Sequence, residues 1–435
     1  MLDIKFIRDN AEAVRRNCAN RNVKVDIERV LSLDEERRSR IVAVEEIRRR
    51  QNETAQKMKG KLEPEARAKL IEDGRGLKAA ESEAQEAVVR AEAELGGLIR
   101  LIPNMTHPDV PVAATEDGNR EIRRWGEPAK FDFRPLDHVE LGQRLDLIDF
   151  DSGAKVAGQK FYYLKNEAVL LEQALILYAL HALRPEGFSP VMTPDLARAS
   201  ILDGIGFNPR GEETQIYSVD KTDLCLIATA EITLGGMLAD TILDEAKLPL
   251  KYVGVSHCFR TEAGSAGRES KGLYRVHQFT KVEMFAFTTP EKAEETHEEF
   301  VGLEEKLFRG LGIPYRVLDI CTGDLGGPAY RKYDLEAWMP GRGDVGSYGE
   351  VTSTSNCTDY QARRLGIRFR REGEKKPLFA YMLNGTAIAV SRALIAILEN
   401  YQQADGSVVV PEALRPYMGG IEKISRKQET GNGER

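Results

Sequence analysis

Residues 252–287 read YVGVSHCFRTEAGSAGRESKGLYRVHQFTKVEMFAF, and the fold turns on this stretch. Two runs rich in β-branched and aromatic residues, Tyr252–Phe259 and Leu273–Phe287, flank a polar, glycine-punctuated segment, Thr261–Gly272. That pattern predicts two antiparallel strands joined by a long connection. Along the second run Phe279, Lys281, Glu283 and Phe285 share one face, and Gln278, Thr280, Val282 and Met284 the other. A lysine and a glutamate beside two aromatics on a partly buried face require an explanation. Arg260 and Glu262, where the first run ends, can reach the same surface.

These side chains suit a nucleotide. Arg260 offers a planar fork for a phosphate. Phe279 offers a face for a purine, and such stacking is worth roughly 1–3 kcal/mol. Glu283 offers an acceptor for an ammonium or hydroxyl. From spacing alone, a surface hairpin carrying a solvated ion-pair ladder explains the pattern equally well.

The whole chain has 435 residues and a formal charge of −7, so no global basic field draws it to nucleic acid. Five scattered cysteines without a C-x-x-C spacing read as reduced thiols rather than a disulfide framework or a metal site. The N-terminus MLDIKFIRDN lacks a signal-peptide core, and no run reaches membrane-spanning length. A soluble, cytoplasmic protein is the expectation.

Composition changes near residue 103. Residues 27–102 hold a single proline, Pro64, no aromatic, and basic and acidic residues in balance. Ser32-Leu33-Asp34-Glu35 fits a capping box opening a helix, and Gly60–Pro64 breaks it, with Pro64 placed to start the next. Leu70, Leu77, Ala84, Ala91 and Leu98 recur every seventh position. Val88, Leu95 and Ile102 supply a second seam, and Ile41, Val44, Ala55 and Met58 a matching stripe on the first helix. This predicts an antiparallel coiled-coil hairpin. Arg48-Arg49-Arg50 with Lys57, Lys59 and Lys61 lie toward its tip, but balanced charge runs usually mark solvated faces, so charge alone favours a spacer or dimerisation arm.

A proline-marked linker, Ile102–Val112, leads into globular sequence. Glu167–Leu183 has helical periodicity, and Phe188–Thr193 followed by Pro194 reads as a strand. Further on come Thr229-Ala230-Glu231, Asp334–Trp338, Glu350-Val351-Thr352-Ser353, and Asn384–Arg392 leading into an apolar helix, Ala393–Leu398. Residues 421–435 are polar and predict a disordered tail. Gly341-Arg342-Gly343-Asp344-Val345-Gly346 satisfies G-x-G-x-x-G but lacks the strand-before, helix-after setting of a dinucleotide site, so it reads as a hairpin loop. The six histidines show no metal spacing.

Phe259-Arg260-Thr261-Glu262, then Arg275-Val276-His277-Gln278-Phe279 and Glu283, resembles motif 2 of the class II aminoacyl-tRNA synthetases, in the form found in the seryl-tRNA synthetases. Ile102–Val112 resembles that family's IPN…HPDVP junction, 167–194 its motif 1, and Asn384–Arg392 its motif 3. Thr229-Ala230-Glu231 matches the family's T(A/S)E, and Glu350–Ser353 its E(I/V)xS, although Gly349 and Thr354 differ from the usual neighbours. The segment 203–210, DGIGFNPR, departs from the family's GTGQLPKF-like loop.

The resemblance implies an α+β fold: a class II antiparallel sheet flanked by helices, with an N-terminal antiparallel coiled-coil arm. It implies an N-terminal tRNA-binding domain over 1–104, with the arm at about 27–102, a catalytic domain over 105–420 and a tail over 421–435. It further implies a homodimer that activates L-serine with ATP and transfers the seryl group to tRNA(Ser), and to tRNA(Sec) where present, the arm gripping the tRNA.

By the same resemblance Arg260 and Arg392 are catalytic. Thr229, Ala230, Glu231, Glu283 and Thr386 bind serine. Arg260, Thr261, Glu262, Arg275, Val276, Phe279, Glu350, Val351, Thr352, Ser353 and Arg392 bind ATP. Glu350 and Ser353 hold Mg²⁺, and no zinc is expected, because Thr386 stands where the zinc-dependent seryl enzymes differ. Two other outputs remain open. An amino acid:carrier-protein ligase would lack the arm, and a non-catalytic tRNA-binding scaffold paralogue would lose Arg260, Glu350 or Arg392.

Overall fold

The computed structural model describes residues 1–60, 62–207, 216–263 and 271–426. The chain divides into two compact units, Met1–Met105 and Thr106–Arg435.

In the first unit, α1 (Ile4–Asp9) and α2 (Ala11–Asn20) join the base of a hairpin made by α3 (Ile27–Lys57) and α4 (Pro64–Leu101). Ile7, Val14, Ile27, Val30, Leu33, Leu95, Ile99 and Ile102 form one core there. The helices are antiparallel: Arg29 pairs with Glu94, Arg40 donates to the Ala87 carbonyl at 3.0 Å, and Arg48 pairs with Glu81 at 2.7 Å. At 1.5 Å per residue α3 is about 46 Å long and α4 about 57 Å. Pro64 opens α4, where its missing N–H is no loss.

Two expectations for this unit fail. The helix opens at Ile27, not at Ser32, because Asp26 caps it by accepting from the Arg29 N–H at 2.9 Å. Asp34, read as part of a cap, is fully buried instead and holds Arg8 at 2.7 Å and Arg37 at 2.9 Å. Toward the tip, Ala55 and Met58 are exposed; Ile47, Gln51 and Thr54 continue the seam from Val44 at alternating steps of three and four. Gln51 donates across the hairpin to Glu81 at 3.0 Å, so the seam turns polar there.

The second unit is built on an eight-stranded sheet. In chain order its strands are β1 (Arg120–Trp125), β2 (Ser189–Met192), β3 (Leu250–Phe259), β4 (Gln278–Thr288), β5 (Tyr315–Asp319), β6 (Arg331–Met339), β7 (Ser347–Asn356) and β8 (Tyr381–Ala389). Their spatial order is β1-β5-β6-β7-β8-β4-β3-β2, antiparallel throughout except for the edge strand β2. β3 and β4 are the predicted pair, registered from Leu250 opposite Phe287 to Phe259 opposite Gln278. The second strand begins at Gln278 rather than Leu273, because Gly272–Tyr274 forms a separate helical turn.

Alternation along β4 separates two cores. Val282, Met284 and Ala286 pack with α7 (Glu167–Leu183), α10 (Ala293–Gly310) and α12 (Val390–Asn400). Phe285 and Phe287 pack on the other face with α8 (Ala199–Ile205), α9 (Ala230–Gly236) and α11 (Tyr360–Leu365). The short helices α5 (His138–Arg144) and α6 (Phe150–Ala157) precede α7. Lys281 and Glu283 share the Phe285 face, and both are buried, so the solvated-ladder reading of this stretch is excluded.

The glycine-rich string 341–346 is the β6–β7 connection, as a hairpin loop should be. The expected tail over 421–435 fails at its start, where Lys423–Ile424 pairs with Val408–Val409 and Ile424 is buried; residues 427–435 lie outside the described residues. The apolar side chain of Ile424 anchors a segment that its polar neighbours made look unfixed. The atypical loop 203–210 lies outside the described residues from Asn208 onward; its first part closes α8.

Candidate active site

Arg260 follows β3 directly, and its guanidinium stands 5.3 Å from the centre of the Phe279 ring. Its Nε donates to the Ala228 carbonyl at 3.3 Å, and its own carbonyl accepts from the His277 ring at 2.8 Å. Thr261 follows, half-buried. Glu262 takes a positive φ of 53° and accepts from Arg275 at 2.8 Å. Val276 is buried and lines the same cavity. Motif 2 therefore delivers a phosphate-type cation, an aromatic face and a carboxylate edge to one cavity, lined also by Tyr274, Glu350 and Arg392.

Glu350 and Ser353 are three apart on β7, a spacing that points side chains to opposite faces of a regular strand. A bulge at Val351 corrects this: Thr352 pairs with Leu335 while Glu350 pairs with Glu336. Glu350 thus stands opposite Glu336, and Ser353 opposite Asp334, on one face. Val351 enters the core, and the Thr352 hydroxyl turns away to donate to Glu304 of α10 at 2.8 Å. Those two residues border the cavity without offering it a side-chain hydrogen bond.

Arg392 lies in the first turn of α12. It donates to the Glu350 carbonyl at 3.0 Å, pairs with the Glu350 carboxylate at 3.0 Å, and lies 4.7 Å over the Tyr274 ring. Burial raises the cost of the Glu350 charge, but Arg392, then Lys332 and Arg260, outweigh it and hold the carboxyl below its usual range. Nearby, burial pushes Asp334 up to about 7 despite Lys332, and one of its oxygens is buried without a hydrogen-bond partner among the described residues. Glu350, Ser353 and this Asp334 oxygen form an all-oxygen donor set, the chemistry a hard divalent cation prefers. Asp334 was not singled out from the sequence, though its alternation with Glu336 along β6 was visible.

The remaining residues form a second, smaller constellation. Glu283 pairs with Lys281 and faces Thr386, whose hydroxyl is 3.4 Å from the Glu283 carboxylate. A second bulge, at Ala387, follows Thr386, so Thr386 keeps its place opposite Glu283 while Ile388 shifts to Val282. Thr229 caps α9 and accepts from the Glu231 N–H at 3.1 Å, and Ala230 is buried in the core. Glu231 accepts from Gln361 at 2.7 Å and from Asn384 at 2.9 Å. Burial, then the Glu283 charge, push its carboxyl up to about 7. Lys281 was noticed in the sequence but given no role, and nothing local to Gln361 marked it.

Residues 1–106 match the family model described as the seryl-tRNA synthetase N-terminal domain, and residues 215–401 the class II tRNA synthetase core domain (G, H, P, S and T). The serine–tRNA ligase of Rubrobacter xylanophilus is 59% identical over 96% of this chain and 98% of its own length. That of Treponema denticola is 56% identical over 96% of this chain and 99% of its own.

The chain belongs to the seryl-tRNA synthetase family.

Solved seryl-tRNA synthetases agree. The Pyrococcus horikoshii enzyme, complexed with ATP, superposes with a TM-score of 0.89 at 41% identity, covering 98% of this chain and 100% of that one. The cytoplasmic serine-tRNA ligase of Naegleria fowleri, in complex with AMP, gives 0.86 at 34% identity, covering 98% and 99%. The similarity spans the seryl-tRNA synthetase N-terminal domain as well as the catalytic core, as a carrier-protein ligase without an arm would not.

Proposed function

We propose that this protein is a serine–tRNA ligase. The observation that carries the reading is the convergence of Arg260, Glu350 and Arg392 on one cavity floored by the sheet that also carries the Glu283–Thr386 pair. In the first step a serine carboxylate oxygen attacks the α-phosphorus of ATP, the bond to the bridging oxygen breaks, and pyrophosphate leaves. In the second a ribose hydroxyl of the terminal tRNA nucleotide attacks the seryl carbonyl, and AMP leaves. The attacking groups belong to the substrates, so the protein's part is positioning and charge stabilisation.

Arg260 holds the α-phosphate and the serine carboxylate. Phe279, with Val276 nearby, carries the adenine, Glu262 with Thr261 its edge, and Arg275 and Arg392 the outer phosphates. Glu350 and Ser353 would hold Mg²⁺, which would supply positive charge against the phosphates. Thr229, Glu231, Glu283 and Thr386 share the amino and hydroxyl groups of serine. Burying these polar groups lets the site reject alanine, because an analogue without the hydroxyl leaves them unpaired.

The arm of the first unit takes tRNA(Ser), and tRNA(Sec) where present; among the described residues Arg48 and Arg49 are held in salt bridges with Glu81 and Glu46, Arg50 acts on Glu46 through its charge, and Lys61 lies outside the described residues. The protein acts as a cytoplasmic homodimer. β2 is an edge strand with Met192 78% exposed, and Val169, Leu170 and Leu177 are exposed on α7, an apolar surface suited to a second copy. Among the described residues no helix is long and apolar enough to cross a membrane.

Charging of a tRNA(Ser) transcript with labelled serine tests this reading. Serine esterified to the 3′ end supports it, and absence of charging with an intact transcript contradicts it.

A further inference from the structure

Gln361 belongs to none of the three motifs, yet it is fully buried on α11 with its amide against the amino-acid side of the site. Its Nε2 donates to Glu231 Oε1 at 2.7 Å and to the Ile205 carbonyl at 3.0 Å. Asn384 donates to the same Glu231 oxygen at 2.9 Å. Two amides from different elements therefore occupy Oε1, and among the described residues no hydrogen bond reaches Oε2. The Oε1 of Gln361 is itself buried without a partner. A half-buried carboxylate whose two oxygens differ this sharply is oriented, since a free carboxyl would rotate between equivalent positions.

We propose that Gln361 is a positioning residue for amino-acid selection: by fixing Glu231 Oε1 it presents Oε2 as an acceptor for a polar group of serine. The bond to the Ile205 carbonyl gives the amide its own anchor at the end of α8, so its position is set independently of the substrate. A residue that only filled the core would need neither donor. This inference rests on the serine-activating reading of the site and adds to it the element that sets the pocket's selectivity.

The test is ATP–pyrophosphate exchange by the full-length protein carrying Gln361→Met, which keeps volume and removes the donor. The KM for serine should rise roughly 10- to 100-fold, the range for losing a hydrogen bond to a charged group. The KM for ATP should stay within about twofold, and the preference for serine over alanine should fall. In a Glu231→Gln background the same substitution should add less than about twofold, because its target is already changed. Should Gln361→Met fold poorly, Gln361→Glu keeps size and polarity but sets an acceptor against Oε1, and its serine KM should rise further. Equal rises in both KM values, or an unchanged preference over alanine, would overturn the proposal. A wild-type protein with no serine-dependent exchange would instead overturn the functional reading beneath it.

Discussion

Glu283 and Thr386 stand directly opposite each other across β4 and β8, the threonine hydroxyl 3.4 Å from the carboxylate and the Lys281 ammonium in contact with both. A buried ion pair of this kind does little for stability by itself, but it fixes where charge lies in the pocket. Glu283→Gln keeps the shape and removes the charge. The KM for serine should rise at least tenfold more than the KM for ATP, measured by exchange with each substrate varied in turn. Equal changes would make the pair a structural one.

The two arginines flanking the cavity should behave differently from Glu283. Arg260→Ala and Arg392→Ala remove charge aimed at the transferring nucleotide, so each should lower exchange by about two to three orders of magnitude, as for other preorganised electrostatic groups. Circular dichroism should show an intact fold. Arg392→Ala also removes the main charge that compensates Glu350, so the Glu350 carboxyl should titrate higher in that variant than in Arg260→Ala.

Serine binding should depend on pH through Glu231. Its carboxyl is raised to about 7, first by burial and then by Glu283, so ionised Glu231 is lost as pH falls through 7. The KM for serine should therefore climb toward tenfold per pH unit below that point, as the ionised fraction falls, and level off above pH 8. The sign for stability is opposite. The folded state holds this proton where the unfolded chain has released it, so this group's contribution to stability falls between about pH 4.5 and 7. A flat serine KM between pH 6 and 8 would remove Glu231 from substrate contact.

The arm can be separated from the chemistry. Val30, Leu33, Leu95 and Ile99 build the base of the first unit, so a deletion must spare them. Arg40 and Ala87 touch across the hairpin, which makes residues 42–86 removable with a short turn. Such a variant should keep exchange within about threefold of the full chain and lose tRNA charging. In the intact protein, charge reversal at Arg50, Lys57 and Lys59 should weaken tRNA binding and flatten its salt dependence, because fewer counterions are released. Loss of both activities together would make the arm a folding element.

What the sequence revealed followed from how local each signal is. Motif 2 lies within one short stretch, residues 259–283, so Arg260, Glu262, Phe279 and Glu283 could be read together, and Pro64 marked a helix start unaided. Ser32 misled because the true cap, Asp26, lies outside the apolar repeat, and only the buried base of Val30 and Leu33 shows the helix extending to it. The bulges at Val351 and Ala387 were invisible, since the residues that fill them are ordinary strand formers; without the first, Glu350 and Ser353 could not share a face. Gln361 is 130 positions from Glu231, and contacts at that separation exist only once the fold brings α9, α11 and β8 together.

The central claim is serine activation, and ATP–pyrophosphate exchange by the purified full-length protein tests it most directly. Run with serine, threonine, alanine and glycine in parallel, exchange should be strong with serine and lower by at least about two orders of magnitude with alanine and glycine, which leave buried polar groups unpaired. Comparable exchange with alanine, or none with serine in the presence of Mg²⁺, would contradict the account.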